Sequence, residues 1–155
     1  MIINYYGGDY FKIQAGDLTV LIDPENQRSF KGATLALNTI RPSLTEAPIE
    51  TSPAWIDHQG EYEVRGIRVE GKTLGEEGKK EKTAYRIDFD EIRIGVLGHL
   101  AKEPDPKVQE FLMDCDVLIV PAGEKPLISS AAAAKLNKTP HFFRHAELDS
   151  ASAFP

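Results

Sequence analysis

The chain has one cysteine, four histidines and a deficit of basic residues, with 18 Lys and Arg against 24 Asp and Glu. A single thiol closes no internal disulfide, so the fold must be held by its core, and a reducing cytoplasm is the expected compartment. Cys115 stands in "DCDVLIV", at the mouth of an apolar strand and with no histidine near it in sequence. It reads as a small buried hydrophobe rather than a nucleophile. The net charge of −6 argues against a nucleic-acid footprint, which needs clustered Lys and Arg. The one dense basic stretch, "GKKEK", is broken by Glu81 and preceded by Glu76 and Glu77, the pattern of a solvated loop. No apolar run approaches the roughly 18 residues that span a bilayer, so no membrane partner is expected. The first residues also lack the basic-then-apolar order of a signal peptide.

What is present suits one compact domain, with 155 residues of which 41% are hydrophobic. "IINYY" and "DYFKIQ" read as strands flanking a Gly-Gly turn, and "LTVLID" is a third strand stopped by Pro24. "ATLALN" is apolar on both faces, as a central strand is. The stretch from Thr39 to Pro53 holds three prolines and no period, which predicts loop. "AWID" is a short strand, and "EYEVRGIRVEGK" a longer one bent at Gly66. "LGEEGKKEK" is the hairpin loop leading to "TAYRIDF", and "EIRIGVLG" follows an Asp-Glu turn.

The pattern then changes. "DPKVQEFLMD" has a capping aspartate, a proline at the first helical position, and Val108, Phe111 and Leu112 on one face. "DVLIVPA" is a buried strand, "SSAAAAKLN" a helix capped by Ser129 or Ser130, and "HFF" a last strand. Strands dominate first and helices alternate later, so a layered sandwich with helices outside is expected.

Taken in order, "IDP", "GEYEVRGIRVEG", and "IRIGVLGHL" followed by a helix and "DVLIVPAG" resemble the metallo-β-lactamase superfamily. Within it they are similar to a small Zn-dependent hydrolase group related to ascorbate-lactone hydrolases. The resemblance covers residues 1–145 and implies an α+β fold: an αββα sandwich of two mainly antiparallel sheets with helices outside. It also implies a shortened C-terminus, because the tail over 146–155, within "RHAELDSASAFP", departs from the family. The implied chemistry is hydrolysis by a water that one or two Zn²⁺ ions activate at one edge of the sheets.

The family's loop reads Thr-His-x-His-x-Asp-His, and it lies on "NTIRPSL" with Pro42 as anchor. Asn38 then takes the threonine slot. Thr39 and Arg41 take the first two histidines, Ser43 the aspartate and Leu44 the last histidine. Gly8 stands where the family's opening histidine falls, and His99 where its metal-bridging aspartate does. Arg41 stays protonated and would repel a cation. The candidates left for a residual site are Asp23, His99, and either His141 or His145.

Each of these residues also has a plain reading. His99 reads as a hydrogen-bonded loop histidine, and His58 inherits no family role. Asp23 before Pro24 reads as a turn residue accepting backbone N–H groups. Glu61 and Tyr62 read as packing and hydrogen-bonding elements, and Asp88 and Asp90 as solvated carboxylates near a turn. The expected function is therefore a metal-free, catalytically silent relative acting as a binding or assembly module, most simply a homo-oligomer. The alternative is a metal-dependent hydrolase with a rebuilt site, holding Zn and acting on a lactone, phosphodiester or similar ester or amide. A third is a small-anion binder with Arg41 gripping the ligand.

Overall fold

The computed structural model describes residues 1–50, 52–99 and 104–120, together with the backbone of 142–144. Two mixed sheets face each other, as a sandwich requires. The first runs β1 (Ile2–Tyr5), β2 (Phe11–Ala15), β3 (Leu18–Ile22), β4 (Leu35–Leu37), β6 (Ala54–Ile56). The second runs β12 (Phe142–Arg144), β11 (Val117–Val120), β10 (Ile92–Val96), β9 (Lys80–Phe89), β8 (Ile67–Glu77), β7 (Gly60–Val64). A two-residue strand, β5 (Ile40–Arg41), pairs with β9 off that path. Parallel pairing of β3 with β4 and of β10 with β11 makes both sheets mixed, while most strand pairs are antiparallel.

The period-2 pattern sorts side chains between layers. Val20 and Ile22 of β3 and Leu35 and Leu37 of β4 enter the core between the sheets. Leu21 and Ala36 face the other way, into a small cluster with Phe30 and Trp55. "ATLALN" is central as expected, flanked by β3 and β6. On the outer face of the second sheet, α1 (Pro106–Leu112) covers Ala84, Leu97 and Leu118 with Val108, Phe111 and Leu112. Asp105 caps it, accepting from Lys107 N at 2.9 Å and Val108 N at 3.0 Å. Helix and sheet come close at Gly95, where a Cβ would lie 3.0 Å from Cys115 Sγ and nearer still to two leucines. Cys115 is buried there, its thiol pushed up to about 11 by burial, as befits a small hydrophobe.

Several boundaries differ from expectation. "EYEVRGIRVEGK" is two strands, because Arg65 and Gly66 both adopt positive φ (49° and 84°) in a two-residue hairpin turn. A register shift in the β8–β9 ladder lies between Thr73 and Gly75 of β8. "LGEEGKKEK" is mostly strand, with Glu77 opposite Lys80 across a turn at Gly78. Its charged residues hid the pairing from a hydrophobic-period argument. Asp88 is not simply solvated, since Arg93 donates to it at 2.7 and 3.4 Å and holds its carboxyl below the usual range. The expected helix over 129–137 and the tail over 146–155 lie outside the described residues.

Candidate functional site

The loop after β4 crosses from one sheet to the other. Asn38 N donates to Ile56 O in the first sheet at 2.8 Å, while Thr83 N of β9 donates to Thr39 O at 2.9 Å. Ile40–Arg41 then continues as β5 beside Lys82 and Glu81. So part of the proline-rich stretch expected to be loop is a strand, recruited by the second sheet.

Because β3 and β4 run parallel, their C-terminal ends reach the same edge of the sandwich, with Ile22 beside Leu37. Asp23 follows β3 at φ 45° and is 1% exposed. Its carboxylate accepts Thr39 N–H at 2.8 Å and the Thr39 hydroxyl at 2.6 Å. Asp23 was expected to accept backbone N–H groups of its own turn; its backbone donor comes instead from the β4 loop. His99 arrives from β10 through Gly98, which sits at φ 53°. His99 Nδ1 is 2.8 Å from Thr39 Oγ1 and 3.8 Å from Asp23 Oδ2, and Nε2 is 3.0 Å from Asp9 Oδ2. The result is a chain of four side chains, Asp9–His99–Thr39–Asp23, joining the β1–β2 turn to the ends of β3, β4 and β10.

Proton counting constrains this chain. Thr39 has one hydroxyl hydrogen, and if Asp23 is ionised that hydrogen goes to Asp23. Nδ1–H of His99 must then donate to Thr39, and Nε2–H to Asp9, so the ring is an imidazolium between two carboxylates. If the proton sits on Asp23 instead, the hydroxyl turns to Nδ1 and the ring is neutral. Burial pushes the Asp23 carboxyl up to about 6, against the lowering effects of His99 and the Thr39 bonds. Burial pulls His99 down, but the Asp9 bond and the Asp23 and Asp9 charges outweigh it, so its net shift is upward despite Lys82.

The other slot residues do not join the chain. Arg41 Nη2 lies 2.7 Å from Glu81 and Nη1 4.0 Å from Asp57. Ser43 Oγ donates to Thr45 O at 2.7 Å, and Leu44 is half exposed. His58 pairs with Asp57 at 2.8 Å, and its ring meets Tyr62 edge-on. Tyr62 Oη bonds the His58 and Gln59 carbonyls at 3.1 and 2.9 Å, the structural role expected of it, while Glu61 is exposed. His141 and His145 lie outside the described residues. Asp9 was missed by sequence reasoning. The "GGD" turn drew attention to Gly8, and the signal that could have found Asp9 was the acid beside that vacated slot.

A divalent ion fits this donor set poorly. Both ring nitrogens of His99 are engaged by protein partners, Thr39 is a buried neutral hydroxyl, and Gly8 offers no side chain. No group of three or more His, Cys, Asp or Glu spaced to hold a metal ion occurs among the described residues.

The sequence profile described as the beta-lactamase superfamily domain matches residues 2–139. No curated protein matches the chain. Among solved structures, a proposed Zn-dependent hydrolase of the metallo-β-lactamase superfamily from Thermotoga maritima superposes with a TM-score of 0.73. It is 20% identical over 93% of this chain and 74% of that one. The metallo-β-lactamase fold protein YhfI from Bacillus subtilis gives 0.66, at 11% identity over 88% and 78%. A diphosphatase from the PhnP family gives 0.58, at 14% identity over 88% and 72%. Such low identities carry the fold and nothing finer. With its two facing mixed sheets and a profile match along nearly all of its length, the chain belongs to the beta-lactamase superfamily domain family.

Proposed function

We propose that this protein keeps the superfamily's sandwich without its metal chemistry and serves as a binding or assembly module. The supporting observation is the Asp9–His99–Thr39–Asp23 chain. Its polar atoms satisfy one another at the edge where the family resemblance places metal ligands, so the strand ends are tied together by hydrogen bonds. Arg41, in a ligand slot, adds a cation nearby whose own partners are carboxylates.

Elemental analysis of the dialysed protein tests this. The expected result is Zn, Mn and Fe far below one ion per chain, and a stoichiometric metal that survives dialysis would overturn the reading. The rival, a metal-dependent hydrolase with a rebuilt site, has one observation in its favour: Asp9, Asp23 and His99 gather in one cluster. It requires metal-dependent turnover on a panel of lactone, phosphodiester and β-lactam substrates.

A further inference from the structure

β1 is the terminal strand of the first sheet, and among the described residues it pairs on one side only, with β2. An open sheet edge is a template for another strand, and proteins guard such edges with charge, proline, bulges or shortness. The other terminal strands whose side chains are described are guarded. β7 exposes Glu61 and Glu63, and β6 is three residues long with Pro53 directly before it. β1 is itself only four residues long, but it lacks the other devices. "MIINYY" contains no charged side chain and no proline, and its pairing with β2 is regular.

The side chains divide by parity. Ile3 and Tyr5 pack against the core between the sheets. Ile2 and Tyr6 belong to the outer face, where they are 61% and 52% exposed. Tyr6 N–H donates to Tyr10 O at 2.9 Å. Along an antiparallel ladder this assigns the even-numbered residues to β2 and turns the N–H and C=O of Ile3 toward the open side.

We infer that this edge is a self-association surface, on which a second copy of the chain lays its own β1 antiparallel across a twofold axis at Asn4. Side chains opposite each other in a sheet share a face, so paired residue numbers must sum to an even value. Centring on Asn4 sets Ile2 of each copy against Tyr6 of the other, a β-branched residue against an aromatic. Ile3 then faces Tyr5, and the first sheet continues from one copy into the next. The contact is isologous and closes on itself. No charged side chain along β1 opposes its own copy, whereas the same pairing of β7 centred on Tyr62 would set Glu61 against Glu63. The inference rests on the assembly reading above for its direction, but it invokes none of the four residues of the Asp9–His99–Thr39–Asp23 chain.

In this register the two Asn4 residues form a non-hydrogen-bonded pair with Cα atoms about 4.5 Å apart, within the roughly 4.4–6.8 Å of a disulfide. Asn4→Cys under oxidising glutathione is therefore expected to give a covalent dimer, while Ile49→Cys, on a fully exposed loop, is not. Light scattering should show a wild-type dimer, and Ile2→Lys with Tyr6→Lys should raise its dissociation constant at least about tenfold. Both side chains are exposed, so the fold should survive; circular dichroism checks this, and if it fails the Asn4→Cys crosslink decides. Crosslinking no better than Ile49→Cys, or a dimer indifferent to both lysines, overturns the β1 surface and leaves the assembly reading standing. A wild-type monomer at all concentrations overturns this surface and homo-assembly together. The metal content tests the loss of metal chemistry separately.

Discussion

His99 Nδ1 lies 2.8 Å from Thr39 Oγ1, across sixty residues of sequence and from one sheet to the other. The two residues stand in slots that the family resemblance gives to a metal-binding histidine and a metal-bridging aspartate. In this chain a hydroxyl and an imidazole meet there directly, and each is also held by a carboxylate.

Thr39→Val keeps the volume and removes the hydroxyl that serves both Asp23 and His99. Each buried group left without its partner costs about 1–3 kcal/mol, so a loss of about 2–4 kcal/mol is expected. Thr39→Ser keeps the hydroxyl and loses one buried methyl, about 1 kcal/mol. Urea unfolding distinguishes them, and equal losses for Val and Ser would show that the hydroxyl carries no stability.

The sign of the pH dependence follows from His99. Its folded pKa is raised above the ordinary 6.5, because the Asp9 bond and the two carboxylate charges outweigh burial and Lys82. A group that holds its proton more tightly when folded stabilises the protein fully below its unfolded pKa. That contribution is lost as pH rises through the folded value. Asp23, raised from 3.8 to about 6, acts in the same sense over a more acid window. The melting temperature of the wild type should therefore exceed that of His99→Gln by more at about pH 6 than at about pH 9. A gap that is constant, or that widens with pH, would remove His99 from the account.

The layering was legible in the sequence because Val20, Leu21 and Ile22, like Leu35, Ala36 and Leu37, are apolar on both faces, and only a sheet covered on both sides uses such strands. α1 was legible from Asp105, Pro106 and its apolar face. The β8–β9 tip was not, since pairs such as Glu77 with Lys80 are held by backbone bonds that leave no hydrophobic period. Of the cluster, Asp23 and His99 were found as candidates, but their connection through Thr39 was not. A threonine at a strand end has no chemistry of its own until a carboxylate and an imidazole from distant segments reach it.

Gly98 fixes the approach of His99. It sits at φ 53°, and a Cβ built on it lands on the Thr39 side chain. Gly98→Ala combines a left-handed backbone penalty of about 1–2 kcal/mol with overpacking of about 1–3 kcal/mol. A loss of about 2–5 kcal/mol is expected. In a Thr39→Gly background the steric part disappears, so the double variant should be less destabilised than the sum of the singles. Strict additivity in that cycle would mean that the two positions do not press on each other.

Arg41 is the one slot residue with a charge that a small anion could use. Its guanidinium is 2.7 Å from Glu81 and 4.0 Å from Asp57, and the Glu81 bond is the main cause holding it protonated above the ordinary range. Any phosphate or carboxylate ligand must compete with Glu81 for the same donors, and both side chains are solvent-exposed enough for that exchange to occur. Glu81→Gln should therefore let phosphate, at constant ionic strength, raise the melting temperature more than it does in the wild type. Adding Arg41→Ala to that variant should abolish the increment. An equal phosphate response in all three proteins would show that Arg41 serves only to pair β5 with Glu81 of β9.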